Sequence, residues 1–160
     1  MDNPIALFLT WSTYGTWLPG DSRGWIEYGR GWRLPLPWRE LESAARMTDD
    51  ACRLTREMRA TVGTQLEETC RIREWPLLAR NCRSNHVHVV ATAPGIAPKS
   101  VRATLKAWAT RCLRDGFDQD RENWWAERCS IRWIFDETSL EAAIMYVKDG
   151  QDKGRESRLR

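Results

Sequence analysis

Residues 75–93, WPLLARNCRSNHVHVVATA, carry two strand-like runs with only Arg83-Ser84-Asn85 between them. A connection this short joins antiparallel neighbours, because parallel neighbours need a crossover of about a dozen residues or more. The chain is thereby committed to a sheet with antiparallel pairing. The first run spans 75–82 and the second 86–93, and Pro94-Gly95 ends the second.

The flanking segments supply partners for this hairpin. Residues 5–14, IALFLTWSTY, crowd β-branched and aromatic side chains and read as a first strand. Pro19-Gly20-Asp21 marks a turn within 15–25, and 26–46 show no clean period and read as a loop or insertion. A helix is expected from Thr48, as N-cap, to Arg73. Its apolar positions are Ala51, Leu54, Met58, Val62, Leu66 and Cys70. Gly63 inside it costs about 1 kcal/mol relative to Ala. Residues 100–114 form a second amphipathic helix with the stripe Val101, Leu105, Trp108 and Cys112. Residues 115–125 connect to a strand at 130–136. A last helix then starts at a Thr138/Glu141 capping box, buries Leu140, Ala143, Ile144 and Val147, and ends at Gly150. Strand, helix, strand, strand, helix, strand, helix is an α+β order. It predicts an antiparallel sheet with helices on one face, leaving the other face for a ligand.

A chain of 160 residues suits one domain and can bury roughly 68–70% of its unfolded surface without disulfides. The five cysteines (52, 70, 82, 112, 129) form no CxxC pair, which argues against a zinc ribbon. Reduced thiols in a cytoplasm fit best. The N-terminus lacks the basic region of a signal peptide, and no apolar run of about 18 residues predicts a membrane span. Of 25 basic residues only Lys99, Lys106, Lys148 and Lys153 are lysines, so arginine dominates. Arginine grips phosphates and stacks on bases, although a GC-rich genome produces the same bias. Ten tryptophans can stack on unpaired bases or simply fill a core.

His86 and His88 are the only histidines. On a strand they share a face, about 6–7 Å apart at Cα, while Val87 and Val89 point to the core. Such a pair converges on one metal ion or stands as two solvated polar side chains. Two imidazoles leave a metal needing a further protein ligand and open positions for substrate oxygens. Downstream, Tyr146 lies at the edge of the last helix's stripe, about 100° from Val147 and 160° from Ile144. A phenol is a poor nucleophile, with a pKa of about 10. A nearby metal that polarises a phosphate would supply what it lacks. The alternative is an ordinary boundary tyrosine.

NHVHVV followed by a helical YVKDGQ resembles the single-tyrosine HUH transposases, HUH denoting His-hydrophobe-His. The opening STYGTWLPGDSRGW is similar to the REP-associated tyrosine transposases. The likeness runs from about residue 5 to 153. It implies a single domain over 1–153 with a polar tail at 154–160. The implied fold is a ferredoxin-like antiparallel sheet with the histidine motif on a central strand. The implied activity is cleavage and rejoining of single-stranded DNA at hairpins or palindromes through a 5′-phosphotyrosine. Tyr146 is the implied nucleophile, and His86 and His88 are ligands of Mg²⁺ or Mn²⁺. Family members place Gln or Asn four residues after the tyrosine, where this chain has Gly150. Gln151 becomes the expected third ligand and Asp149 the fallback. Arg83, Arg102, Lys106, Lys148 and Lys153 are expected to contact DNA. The resemblance leaves homodimer and monomer open and suggests a bacterial cytoplasmic protein associated with the nucleoid.

Three other readings compete. A domesticated relative would bind hairpin DNA without cutting it. An RNA-binding ferredoxin-like domain lacks its aromatic signature here. A water-activating phosphoesterase would need more carboxylates or histidines.

Overall fold

The computed structural model describes residues 3–150. Four strands, β1 (Ala6–Thr13), β4 (Leu77–Cys82), β5 (His86–Ala91) and β6 (Trp125–Ile134), make one sheet in the order β4-β5-β1-β6. All three pairings are antiparallel. With α2 (Arg56–Arg73) after β1 and α3 (Pro98–Gly116) after β5, this is the ferredoxin-like β-α-β-β-α-β arrangement. β5, the strand that starts with His86-Val87-His88, is internal, between β4 and β1.

Strand alternation assigns the two faces. Leu7, Leu9 and Trp11 of β1 and Val87, Val89 and Ala91 of β5 turn one way. They pack on Val62, Leu66 and Cys70 of α2 and Val101, Leu105, Ala109 and Leu113 of α3. Trp11 is thus core. Leu9 is fully buried in this cluster, so Leu9→Ala should cost about 2–5 kcal/mol in equilibrium denaturant unfolding. Leu34→Ala, at an exposed position, should stay within about 0.5 kcal/mol of the parent.

The second face departs from expectation. The helices do not all lie on one side. α2 and α3 share a face, but α4 (Glu137–Met145) and the π-helical turn Tyr146–Gly150 take the other. The cause is an apolar patch that α2 and α3 leave uncovered: Ala6 and Phe8 of β1, Ala79 of β4, Val90 of β5 and Ile134 of β6. The predicted stripe Leu140, Ala143, Ile144 and Val147 packs on it. α4 therefore delivers Tyr146 to the histidine face.

Other corrections are local. Residues 26–46 are not loop. β2 (Trp25–Glu27) and β3 (Gly31–Arg33) pair as a separate hairpin, and α1 (Pro37–Ala45) follows. Three-residue strands are too short to show a period, and Gly29 and Gly31 turn the chain at φ 74°. α2 starts seven residues later than expected. Thr55, not Thr48, is its N-cap, with Oγ1 accepting from the Met58 N–H. The preceding segment donates instead to the segments after β1 and β4, Cys52 N–H to Tyr14 O at 2.8 Å and Leu54 N–H to Ser84 O at 2.7 Å. Asp136, not Thr138, caps α4, accepting from the Ser139 N–H at 2.7 Å. On α3, Ala109 and Leu113 fill the core, and Trp108 stays outside it, 41% exposed. Gly63 has a packing reason: a Cβ there would strike the Arg80 guanidinium, which pairs with Glu67.

All five cysteines are free thiols. Burial pushes Cys70, Cys82 and Cys112 up to about 11, so they stay protonated. Among the described residues no helix is long and apolar enough to cross a membrane.

Candidate functional site

His86 and His88 project from the same face of β5, their ring centroids 4.7 Å apart and their planes at 73°. Each ring is oriented through Nδ1. His86 Nδ1 lies 2.7 Å from Asn85 Oδ1. An amide oxygen only accepts, so this contact places the His86 proton on Nδ1 and the basic lone pair on Nε2. His88 Nδ1 lies 2.7 Å from Thr10 Oγ1 on the adjacent β1, where the register sets Thr10 opposite His88. The hydroxyl can accept, which suits the same tautomer. Hydrogen-bonding the far nitrogen is how ligand imidazoles are held.

His88 is 6% exposed. Burial, with the neighbouring His86 and Arg83 charges, pulls its pKa down to about 4. It is therefore neutral near pH 7, the state in which an imidazole binds metal. The two histidines thus fit a divalent cation in number of nitrogens and tautomer, and His88 also in charge, as an incomplete set. Among the described residues no three of His, Cys, Asp and Glu gather closely enough to hold a metal. Asp149 in its present place does not complete the pair. Gln151 lies outside the described residues.

Tyr146 opens the π-helical turn immediately after α4. Its ring centroid is 5.7 Å from that of His88 and 6.1 Å from that of Phe8, and Phe8 stands 5.6 Å from His88. These three rings form a triangle over the sheet. Phe8 is buried, whereas Tyr146 remains 49% exposed and open to a substrate. Wide turns of this kind recur at functional sites in helices. Asn81, opposite His88 on the β4 side, donates its amide N–H to the Val147 carbonyl at 2.8 Å. A bulge in β6 between Trp125 and Cys129, against Trp11–Thr13 of β1, lies at the His86 end of the site, where Ser12 is opposite His86. Bulges commonly adjust strands beside active sites.

The expected DNA contacts separate into groups. Arg83 closes the turn before His86, its N–H donating to the His86 carbonyl, and its charge reaches His88. Lys148 sits in the tyrosine turn but lines an open groove of about 700 Å³ along β4 and α2, with Arg71 and Arg80. Arg102 and Lys106 are on α3, behind the sheet, and the fold does not bring them to the histidines. Lys106 Nζ is engaged by the Ala126 carbonyl at 3.2 Å and lies 3.6 Å from Cys129 Sγ. Lys153 lies outside the described residues. The turn containing Asp21 is scaffold: Asp21 is buried and ion-paired with Arg23, which holds its carboxyl below the usual range.

Sequence reasoning did not find Thr10, Phe8, Asn81 or Arg132. Arg132 is exposed on the histidine face, opposite Phe8 in the β1/β6 register. Its signal was the alternation Ile131-Arg132-Trp133, which turns it to the face away from Ile131 and the core. Thr10 and Asn81 depended on strand register, which a single sequence does not display.

Comparison with known proteins bears on the family and the fold. The family model described as "Transposase IS200 like" matches residues 48–149, more than half of the chain. No curated protein matches the sequence. Among solved structures, a REP-associated tyrosine transposase bound to a REP hairpin aligns with a TM-score of 0.58 at 13% identity, covering 96% of this chain and 71% of its own. A protein of Deinococcus radiodurans R1 described as a transposase aligns with a TM-score of 0.53 at 13% identity, covering 93% and 92%. At that identity the structural likeness speaks for the fold, and the family match speaks for descent. The chain belongs to the IS200-like transposase family.

Proposed function

We propose that this transposase cleaves and rejoins single-stranded DNA at hairpin-forming sequences, with Tyr146 as the attacking group. The observation that carries the reading is the approach of Tyr146 to His88, ring to ring at 5.7 Å, from an element 58 residues away in sequence. In the proposed step the Tyr146 oxygen bonds to phosphorus and the P–O3′ bond breaks. The tyrosine proton ends on the departing 3′ oxygen, and the 5′-phosphate stays on the protein. The reverse attack by a 3′-OH rejoins strands without an external energy source.

His86 and His88 would hold Mg²⁺ or Mn²⁺ through Nε2, with Gln151 as third donor and Asp149 as its fallback. Such a cation supplies polarisation of the scissile phosphate and offsets the charge that develops on it. Thr10 and Asn85 keep the two imidazoles in the ligating tautomer. Phe8 walls the site from below. Arg83 and Arg132, on the same face, would hold the flanking phosphates, with Lys148 at the margin. Arg102 and Lys106 could reach only DNA that passes behind the sheet. Hairpin substrates are proposed on the family reading and the likeness to the REP-hairpin complex. A homodimer and an association with the nucleoid belong to the same proposal.

The test uses labelled hairpin-containing single-stranded DNA with Mg²⁺ or Mn²⁺. A covalent adduct that survives denaturant and disappears with EDTA is the expected result. DNA binding with no adduct under either metal would overturn it in favour of a binding module that does not cut. Gln151→Ala should raise the Mn²⁺ concentration needed for half-maximal adduct by about 100-fold or more, beyond the loss typical of an orienting partner, and Asp149→Ala by less than about threefold. The reverse order would move the third ligand to Asp149.

A further inference from the structure

The π-helical turn that carries Tyr146 is tied to the sheet by a side chain that the proposed chemistry does not use. We propose that Asn81 is a positioning residue for Tyr146, clamping the turn Tyr146–Gly150 at a fixed height above the histidines. This rests on the reading of Tyr146 as the attacking group.

Three observations converge on Asn81. First, its place: β4 sets it directly opposite His88, and β1 sets Thr10 opposite His88 on the other side. Opposite residues share a face, with Cβ atoms about 4.5–5.5 Å apart. Asn81, His88 and Thr10 therefore form one polar row across three strands. Thr10 holds the His88 ring, and Asn81 holds the tyrosine turn.

Second, its bond: Asn81 Nδ2 donates to the Val147 carbonyl at 2.8 Å, across 66 residues of sequence. That bond supplies the Val147 carbonyl with a donor from the sheet. Val147 is fully buried, so solvent is not at hand to replace one. A buried carbonyl deprived of that donor is destabilised.

Third, its leverage: Val147 is the residue next to Tyr146. The Tyr146 side chain is half exposed and meets the aromatic rings of Phe8 and His88 edgewise or at a tilt. Such contacts let a ring slide. The height and direction of the phenol are set instead by its backbone, and Asn81 grips that backbone one residue away. Val147 packs against Phe8 and Val90, which fixes depth but not rotation. A directional hydrogen bond fixes both.

Asn81→Leu keeps the size and removes the donor, and Asn81→Asp keeps the shape and sets a carboxylate against the carbonyl. Two readouts are needed. In the protein without DNA, amide hydrogen exchange across 146–150 should quicken by about tenfold or more in both variants, while α2 and α3 keep their protection. In single-turnover reactions at saturating DNA and Mn²⁺, adduct formation should slow by about 10–100-fold, because a misplacement of about 1 Å costs that order. The Kd for DNA and for Mn²⁺ should stay within about threefold of the parent.

Unchanged exchange at 146–150, or an adduct rate within about threefold of the parent, would overturn the proposal. So would a rate that recovers fully at higher Mn²⁺, since Asn81 would then serve His88 rather than the tyrosine. A parent protein that forms no adduct would instead defeat the reading of Tyr146 as nucleophile. The exchange measurement still decides in that case whether Asn81 holds the turn.

Discussion

Tyr146→Phe is expected to abolish the covalent DNA adduct, a loss of more than about 10³-fold, since removing a nucleophile leaves only what binding and charge stabilisation provide. The variant should remain folded. The ring that meets Phe8 and His88 is retained, and the hydroxyl belongs to a half-exposed side chain. Melting temperature and hairpin-DNA affinity should therefore match the parent, with the loss confined to chemistry. Electrophoresis under denaturing conditions with 5′- and 3′-labelled strands reads the result. An adduct of undiminished yield from Tyr146→Phe would remove Tyr146 from the reaction. Tyr14 and Tyr28 are the other tyrosines, and neither is placed to substitute. The Tyr14 hydroxyl accepts from the Thr48 N–H, and Tyr28 stands 88% exposed in the short turn between β2 and β3.

The parts of this fold that could be read from sequence are those set by local pattern. The three-residue turn at Arg83-Ser84-Asn85 dictated the β4/β5 hairpin, and alternation in HVHVV put both histidines on one face with the valines in the core. The stripe Leu140, Ala143, Ile144 and Val147 was legible too, but not which face of the sheet it would cover. That depended on the apolar patch of Phe8, Ala79, Val90 and Ile134, assembled from four strands. The helix starts were misread for a related reason. Thr48 and Thr138 have cap chemistry, but Thr55 and Asp136 have the geometry. On α3, a stripe through Trp108 and one through Ala109 are equally periodic. The smaller side chain faces the core, while Trp108 stays outside beneath the Arg111 guanidinium. In the site, His86, His88 and Tyr146 announced themselves by residue type. Thr10, Asn81 and Arg132 did not, because each acts through strand register. Arg102 and Lys106 carried the right charge on the wrong side of the sheet.

The second large effect is expected at His88. His88→Ala should weaken Mn²⁺ binding by more than about 100-fold, beyond the 10–100-fold typical of losing a partner that merely orients a ligand. Thr10→Val supplies that smaller case in the same place. It keeps the shape of the Thr10 side chain and removes the oxygen 2.7 Å from His88 Nδ1, leaving the imidazole present but free to change tautomer or tilt. Its effect should fall within 10–100-fold. Titration of Mn²⁺ by calorimetry or by electron paramagnetic resonance gives both numbers without any DNA. Stability should move in a different order. His88→Ala empties a buried position between Phe8 and His86, a loss of packing that unfolding should report. Thr10→Val conserves volume. If both variants bound Mn²⁺ as the parent does, the histidine pair would be no metal site, and the neutral imidazole of His88 would be left as a buried polar group held by Thr10. Equal losses from the two variants would mean that His88 acts on the metal only through its orientation. Only the predicted order, His88→Ala well beyond Thr10→Val, makes His88 a ligand and Thr10 the residue that aims it.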